Sequence, residues 1–173
     1  MSGSTQRGVT LIELMITLVV LSILISAALP SFSAWIANTQ IRNGAEAVLN
    51  GLQFARSEAV RLNTNIEFGM QGASGTAWVV TDPAANTELQ RRQEEGSSNL
   101  NAVATPPGAT KVTFNGMGWV TTNADASARI TQFDVSSATA TSGTRPLRVV
   151  VAPGGSIKMC DPAVVAPDPR ACP

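Results

Sequence analysis

The hydrophobic pattern of this chain begins with a nearly continuous apolar run. Residues 9–29 contain 16 apolar residues in 21 and hold ten of the chain's 21 Leu and Ile residues. At about 1.5 Å per residue, a helix of this length crosses the roughly 30 Å hydrocarbon layer of a bilayer. The pattern therefore predicts a helix that spans a membrane at the front of a 173-residue chain.

A second helical pattern follows, and no linker rich in Gly, Ser or Pro separates it from the first. Apolar residues recur at spacings of three and four, which is typical of one buried helix face. They are Ile41, Ala45, Val48, Leu52, Ala55, Ala59 and Leu62, with Leu49 beside them. The two patterns together predict one helix of about 80 Å over residues 9–62, with a kink at Pro30 and a weak point at Gly44. The alternative is a membrane anchor, a short linker and a separate helix.

Beyond residue 62 the hydrophobic period changes to two, as in β-strands. Short runs rich in β-branched and aromatic residues cover 66–70, 78–81, 111–114, 119–122, 130–135, 147–152 and 156–160. The more polar segment 88–93 is predicted as an edge strand, and residues 153–155 as a hairpin turn. Residues 94–108 and 136–144 hold few core formers and are predicted as surface loops. The predicted fold is α+β, with a long N-terminal helix whose apolar stripe packs on an antiparallel sheet.

Composition removes several classes of function. The 12 basic and 12 acidic side chains give a formal net charge of +0, whereas polyanion binding as a main task needs a basic excess. The chain has no His, which removes the commonest general base and most zinc sites. Its two Cys are too few for a four-thiolate metal site. We therefore predict no catalytic residue, no metal site and no cofactor.

Two charges at the front of the chain are informative. The polar leader, residues 1–8, carries Arg7 as its only charge, which favours a cytoplasmic N-terminus and an exported remainder. Glu13 interrupts the apolar run, where a carboxylate costs roughly 2.5 to 3.5 kcal/mol at the helix centre. It either reaches the headgroups or pairs with a cation supplied within the membrane. An α-amino group created by cleavage just before the helix would carry such a charge.

The segment GVTLIEL, residues 8–14, resembles the class III signal of type IV pilins and type II secretion pseudopilins. The resemblance implies that prepilin peptidase cleaves between Gly8 and Val9 and that the amine of Val9 is methylated. It also implies that Glu13 pairs with the N-terminal amine of a neighbouring subunit, and that Pro30 occupies the family's kink position. Val9 departs from the Phe that is usual there. The implied organisation is a cleaved leader (1–8), a transmembrane assembly helix (9–29), its amphipathic continuation (30–62) and a periplasmic β-rich domain (63–173) with the pilin fold.

The C-terminal section, residues 146–172, resembles the hairpin and tail of the GspH/FimT group of minor pilins and pseudopilins. Cys160 and Cys172 enclose a Pro-rich segment that cannot join a sheet ladder and needs a tether. In an exported protein these thiols are expected to form a disulfide, worth roughly 3 kcal/mol in the entropic account. Two free thiols or a redox pair are the alternatives.

Some members of that group bind DNA through basic residues near this hairpin. The candidate contacts here are Arg145, Arg148, Lys158 and Arg170. The Gly-Arg-x-Arg-like pattern of the DNA-binding members would fall on residues 155–158, where Ser and Lys replace the two Arg. The alternative is a set of scattered, solvated cations. The three Trp residues, Trp35, Trp78 and Trp119, are predicted to pack in the core or at interfaces, with Trp35 near the membrane surface.

The sequence thus indicates a minor type IV pilin of the GspH/FimT group that assembles into, or primes, a filament. Its expected partners are other pilin subunits, prepilin peptidase, the inner membrane before assembly and, weakly, DNA, with no small-molecule substrate. Three alternatives stay open: a minor pseudopilin of a type II secretion system, a DNA-binding minor pilin for natural transformation, and a membrane-anchored periplasmic enzyme.

Overall fold

The computed structural model describes residues 8–72, 75–93, 99–139 and 143–173. A long helix, α1 (Leu11–Leu62), precedes all the strands of this part of the chain. The strands are β1 (Ile66–Met70), β2 (Trp78–Asp82), β3 (Thr87–Arg92), β4 (Leu100–Thr105), β5 (Lys111–Phe114), β6 (Val120–Thr121), β7 (Gln132–Ser137), β8 (Leu147–Val151) and β9 (Ile157–Cys160). The predicted α+β class, a long N-terminal helix on antiparallel strands, is confirmed.

Helix α1 is one element of 52 residues. Thr10 is its N-cap and accepts a hydrogen bond from the backbone N–H of Glu13 at 3.3 Å. Asn63 ends the helix with a left-handed backbone (φ 50°), and its N–H donates to the carbonyl of Ala59. The helix runs through Pro30 as a single element rather than as an anchor, a linker and a second helix. The kink at Pro30 stays a prediction.

The apolar stripe in the second half of α1 forms one wall of the core. Its fully buried members are Ile41, Ala45, Val48, Leu52, Ala55 and Ala59. Leu62, the last helical residue, is instead 39 % exposed. A Cβ added to Gly44 would lie 2.6 Å from Leu100 Cδ1, and one added to Gly51 would lie 2.6 Å from Trp78 Cε2. Gly44 is therefore a position of close helix–sheet packing as well as a residue of low helix propensity.

The strands form two antiparallel sheets that share this core. One has the order β3-β2-β1-β5-β6 and the other β4-β7-β8-β9. The sequence predicts a single sheet, but residues 129–131 cross between the two. The N–H of Ile130 donates to the carbonyl of Lys111 in β5, while the carbonyl of Thr131 accepts from Val151 of β8. Phe68, Phe114 and Phe133 fill the interior between the sheets and α1.

Strand positions agree with the hydrophobic pattern except at β4. Strands β1 and β5 have the predicted ends, and β3 lies at a sheet edge as predicted. The predicted loop 94–108 is wrong over Leu100–Thr105, which pairs with β7 along six residues. Leu100 and Ala102 are buried and Val103 is exposed, but Ala, Asn and Thr make this alternation too weak to recognise. The predicted loop 136–144 overlaps the end of β7, and residues 140–142 lie outside the described chain.

Candidate functional site

The first half of α1 is an apolar helix without a covering partner in the described chain. Its large apolar side chains between Leu11 and Ile25 are 51 to 77 % exposed. By length and composition α1 contains a segment able to cross a membrane, with a mean hydropathy of 2.5 and none of it buried. Water disfavours so much exposed apolar surface, so this half of the helix requires a bilayer or other helices around it.

The predicted processing and assembly residues lie at the start of this helix. Gly8 and Val9 precede α1 and are exposed. Glu13 lies in the first helical turn, at the positive end of the helix dipole. Among the described residues no cation forms an ion pair with Glu13. Its carboxylate is therefore available to a cation from another chain.

The C-terminal tail is held against the end of β9. Cys160, the last residue of β9, and Cys172 form a disulfide with Cα atoms 5.1 Å apart. The backbone N–H of Asp161 donates to the carbonyl of Arg170 at 2.8 Å, so the tail turns and returns beside the strand. The Asp161 carboxylate accepts the N–H of Ala163 at 2.9 Å. A covalent bond and a few turn hydrogen bonds thus hold this Pro-rich segment.

A cleft of about 770 Å³ separates α1 from this tail, and we call it the basic cleft. It is lined by Trp35, Asn38, Thr39, Arg42, Gly143, Arg145, Leu147, Met159, Cys160, Asp161, Pro169 and Arg170. Asn38 of α1 binds the backbone of Gly143 and Arg145, which lie on the other side of the cleft. Its Oδ1 accepts the backbone N–H of Arg145 at 2.7 Å, and its Nδ2 donates to the carbonyl of Gly143 at 3.0 Å. The loop is therefore positioned at the level of Asn38 on the helix.

The structure divides the four cations that the sequence predicts as DNA contacts. Arg145 and Arg170 line the basic cleft. Arg148 and Lys158 are not among the residues that line the cleft, and they point away from the core because their neighbours Val149 and Met159 pack against it. The cleft therefore brings together only two of the four predicted contacts.

Carboxylates neutralise two of these cations. Arg148 Nε lies 2.6 Å from Asp134 Oδ1, and this hydrogen bond raises the pKa of Arg148. Arg170 Nη2 lies 2.8 Å from Asp168 Oδ2. The Arg170 side chain, followed by its backbone N–H, lowers the pKa of Asp168 from 3.8 to about 2. The surface charge near the C-terminal hairpin is therefore smaller than the residue count indicates.

Gly155 has a packing role in the hairpin between β8 and β9. Its φ is 78°, and an added Cβ would overlap the carbonyl oxygen of Gly118. Arg56 of α1 donates to the same Gly118 carbonyl at 3.1 Å, and Pro153 accepts the N–H of Val120 at 3.0 Å. The glycine at the start of residues 155–158 is thus required for docking the hairpin tip.

A polar cluster on the outer face of the five-stranded sheet has no counterpart in the sequence analysis. Lys111 Nζ lies 3.0 Å from Glu67 Oε1 and 3.2 Å from Asp125 Oδ2. Hydrogen bonds from the Ser127 hydroxyl and backbone N–H, and then the Lys111 ammonium, lower the pKa of Asp125 from 3.8 to about 2. The described residues contain no group of His, Cys, Asp and Glu side chains that could hold a metal ion.

The helix side of the basic cleft was not predicted from the sequence. Trp35, Asn38 and Arg42 recur at spacings of three and four, so their shared face could have been recognised from periodicity. No pattern in the sequence indicates that the loop carrying Arg145 meets that face, since more than 100 residues separate it from Asn38.

Comparison with known proteins relates both halves of the chain to one group. Residues 44–155 match the family described as type II transport protein GspH, and residues 3–29 match the prokaryotic N-terminal methylation motif. The type IV major fimbrial protein FimA of Dichelobacter nodosus (strain VCS1703A) is 31 % identical over 111 residues, which is 60 % of each chain. A second FimA from Dichelobacter nodosus is 30 % identical over 101 residues. The chain thus spans about 60 % of the length of these curated relatives.

A solved structure supports the fold. The type IV minor pilin FimU of Pseudomonas aeruginosa (strain PAO1) matches with a TM-score of 0.56 at 20 % identity, over 70 % of this chain and 88 % of that one. The helix and sheets of this chain are therefore arranged as in that protein. The resemblance to the type IV pilin and pseudopilin group is confirmed. Because the family match covers residues 44–155, the chain belongs to the GspH family of the type IV pilin and pseudopilin group.

Proposed function

We propose that the protein is a minor type IV pilin that enters a filament through the first half of α1 and displays its β-domain outside. The observation that carries the proposal is the exposed apolar half of α1, whose large side chains are at least 51 % exposed. Burying such surface yields about 25 cal/mol per Å². The inner membrane provides that burial for the precursor, and the helices of neighbouring subunits provide it in the filament. This role is structural rather than enzymatic.

The proposal includes cleavage between Gly8 and Val9 by prepilin peptidase, followed by methylation of Val9. The match of residues 3–29 to the N-terminal methylation motif and the exposure of both residues support it. Mass spectrometry of the mature chain tests it, with an expected N-terminus at Val9 carrying one additional methyl group. Gly8→Leu should leave the leader attached. A wild-type chain that still begins at Met1 in the filament would contradict the proposal.

The second element of the proposal is that Glu13 pairs with the N-terminal amine of a neighbouring subunit. The exposed carboxylate without a cation nearby in the described chain supports this, since an unpaired charge among packed apolar helices is costly. We expect Glu13→Ala to reduce incorporation into filaments strongly, measured by immunoblot of sheared filaments. Glu58→Ala, which removes a carboxylate that pairs with Arg61 farther along α1, is the control for loss of one acidic side chain. Equal incorporation of Glu13→Ala and wild type would refute the pairing.

A type II secretion pseudopilin is the second candidate, because the family that matches residues 44–155 is described as a type II transport protein. Deletion and complementation in the host organism separate the two roles. A pilin is required for surface filaments, whereas a pseudopilin is required for release of secreted proteins into the medium. Loss of secretion with normal filaments would favour the pseudopilin.

DNA uptake has less support from the geometry, because Arg148 and Arg170 are paired with carboxylates and only two of the four candidate cations line the same cleft. A mobility-shift assay at two salt concentrations is the appropriate test. We expect little binding by the wild-type chain and no difference for Arg148→Gln with Lys158→Gln. Tight binding that weakens steeply with salt and with these substitutions would establish a DNA contact.

A further inference from the structure

The basic cleft lies close to the membrane end of the β-domain. Trp35 lines the cleft six residues beyond the apolar run 9–29, which is about 9 Å along the helix. Asn38, which fixes the backbone of Arg145, is about 14 Å beyond the run. Headgroups extend roughly 5 to 8 Å past the hydrocarbon layer on each side. An Arg side chain spans the remaining distance, so a membrane surface lies within reach of the cleft.

Cationic side chains outnumber carboxylates among the residues that line the cleft. Arg42, Arg145 and Arg170 line it, and Asp161 is the one carboxylate among its described lining residues. That carboxylate already accepts a backbone hydrogen bond from Ala163. Arg42 pairs with Glu46 and Arg170 pairs with Asp168, whereas Arg145 has no carboxylate partner in the described part of the chain. The cleft therefore presents at least one uncommitted guanidinium to a ligand with negative charge.

Trp35 lines the membrane side of the same cleft, and Phe32 packs against it. The rings of Phe32 and Trp35 stack with their centroids 5.9 Å apart, and these residues are 60 % and 63 % exposed. Exposed Trp at this depth is typical of the aromatic belts of membrane proteins, where the indole lies among headgroups. Guanidinium groups can bind the phosphate of a phospholipid headgroup, and an exposed indole can pack beside its glycerol region. The cleft offers both kinds of group, since Trp35 lines it together with Arg residues.

We propose that the basic cleft binds the phosphodiester headgroup of an anionic phospholipid in the outer leaflet of the inner membrane. Arg145 and Arg42 bind the phosphate, and Trp35 packs beside the glycerol region. The inference rests on the proposed membrane-anchored precursor. Because the β-domain is packed on α1, the bound lipid fixes the rotation of the whole subunit about the helix axis before the subunit leaves the membrane.

Two exposed Trp residues at opposite ends of the domain can report how close each end lies to the membrane surface. Trp119 is 56 % exposed and follows Gly118, which packs near Val60, about 37 Å farther along α1 than Trp35. The full chain is placed in nanodiscs of phosphatidylglycerol or phosphatidylcholine that contain headgroup spin-labelled lipid. Both variants keep the buried Trp78 as a common background. We expect the Trp35 contribution in Trp119→Phe to be quenched and the Trp119 contribution in Trp35→Phe to be quenched little. Quenching should be stronger in phosphatidylglycerol.

A charge-matched pair of variants tests the cleft itself. Arg42→Gln with Arg145→Gln removes two cleft cations, and Arg129→Gln with Lys158→Gln removes two exposed cations elsewhere. Phosphatidylglycerol retained by the full chain is counted by native mass spectrometry after release from mixed-lipid nanodiscs. We expect about a fivefold loss for each cleft cation removed and no change for the control pair.

The outcomes separate this inference from the proposed function. Equal retention of both lipids, or equal losses in the two variant pairs, would overturn the inference while leaving membrane anchoring intact. So would competition by millimolar inorganic phosphate, which would indicate a simple anion site. If the cleft variant keeps its lipid but enters filaments poorly, the cleft binds an acidic protein surface instead. A chain that does not integrate into nanodiscs at all would refute the anchored precursor itself.

Discussion

Gly155 shows how a single residue can hold two distant parts of this fold together. Its positive φ and the close carbonyl of Gly118 leave no space for a side chain. The contact joins the β8–β9 hairpin to the turn before β6, and Arg56 of α1 donates to the same carbonyl. Three elements therefore meet at one backbone contact.

We expect Gly155→Ala to lower the free energy of unfolding by roughly 1 to 3 kcal/mol, because alanine at this φ is strained and its Cβ displaces Gly118. Urea unfolding of the full chain in detergent, followed by Trp78 fluorescence, measures the change. Gly154→Ala is the matched control, since nothing lies within 4 Å of a Cβ at that position. Equal stability of the two variants would disprove the packing argument.

Asp125 is a second residue whose local contacts affect the stability of the fold. Its pKa falls from 3.8 to about 2 in the folded chain. A lowered folded pKa means that protonation favours the unfolded state, so the contribution is present above about pH 4 and is lost as the pH falls toward 2. We expect Asp125→Asn to be less stable than wild type at pH 7 and to lose less stability over this acidic range.

Urea midpoints measured at pH steps between 6 and 2 test the Asp125 prediction. Glu46→Gln, which removes a carboxylate that pairs with Arg42 on α1, serves as the control for loss of one acidic side chain. An Asp125→Asn profile that falls as steeply as that of the wild type would show that the contacts with Ser127 and Lys111 do not act through this charge.

At the scale of elements, the C-terminal tail depends on its crosslink. Between Cys160 and Cys172 the described hydrogen bonds are mostly turns within the tail itself, and Val165 is 81 % exposed. The tail contributes little to the core and gains its order from the disulfide and from the contact of Asp161 with Arg170.

We expect the Cys160→Ser, Cys172→Ser double variant to be less stable by about 3 kcal/mol in the entropic account, with the nine strands retained. Limited trypsin digestion should cleave after Arg170 much faster than in the oxidised wild type. Circular dichroism monitors the sheets, and mass spectrometry locates the cut. Unchanged digestion would mean that the tail is held by contacts other than the disulfide.

At the scale of the whole molecule, α1 performs two separate tasks. Its first half is exposed and suited to a bilayer or to other helices, whereas its second half is a wall of the domain core from Ile41 onward. The described side chains between Leu11 and Ile25 contribute nothing to the core. Although the two halves form one helix, only the second half is therefore expected to contribute to the free energy of unfolding of the domain.

A fragment of residues 31–173 tests this independence. We expect it to be soluble and to unfold cooperatively within about 0.5 kcal/mol of the full chain in detergent, because it keeps every buried core residue. It should no longer associate with membranes or enter filaments. Guanidinium titration and flotation with vesicles measure the two properties. A fragment that fails to fold would show that the apolar half of α1 stabilises the domain.

The sequence by itself determined the long helix, its buried stripe, most of the strands and the family, because each depends on local periodicity or on contiguous motifs. The apolar run over residues 9–29 and the periodic apolar positions from Ile41 to Ala59 are visible in the sequence itself. Tertiary structure decided what depends on residues far apart in the chain: the pairing of the weakly patterned β4 with β7, and the division into two sheets. It also decided which cations meet, since Asp134 neutralises Arg148 while Asn38 brings Arg145 beside Arg42. Which charged side chains lie close together depends on tertiary packing, and no periodic pattern in the sequence indicates it.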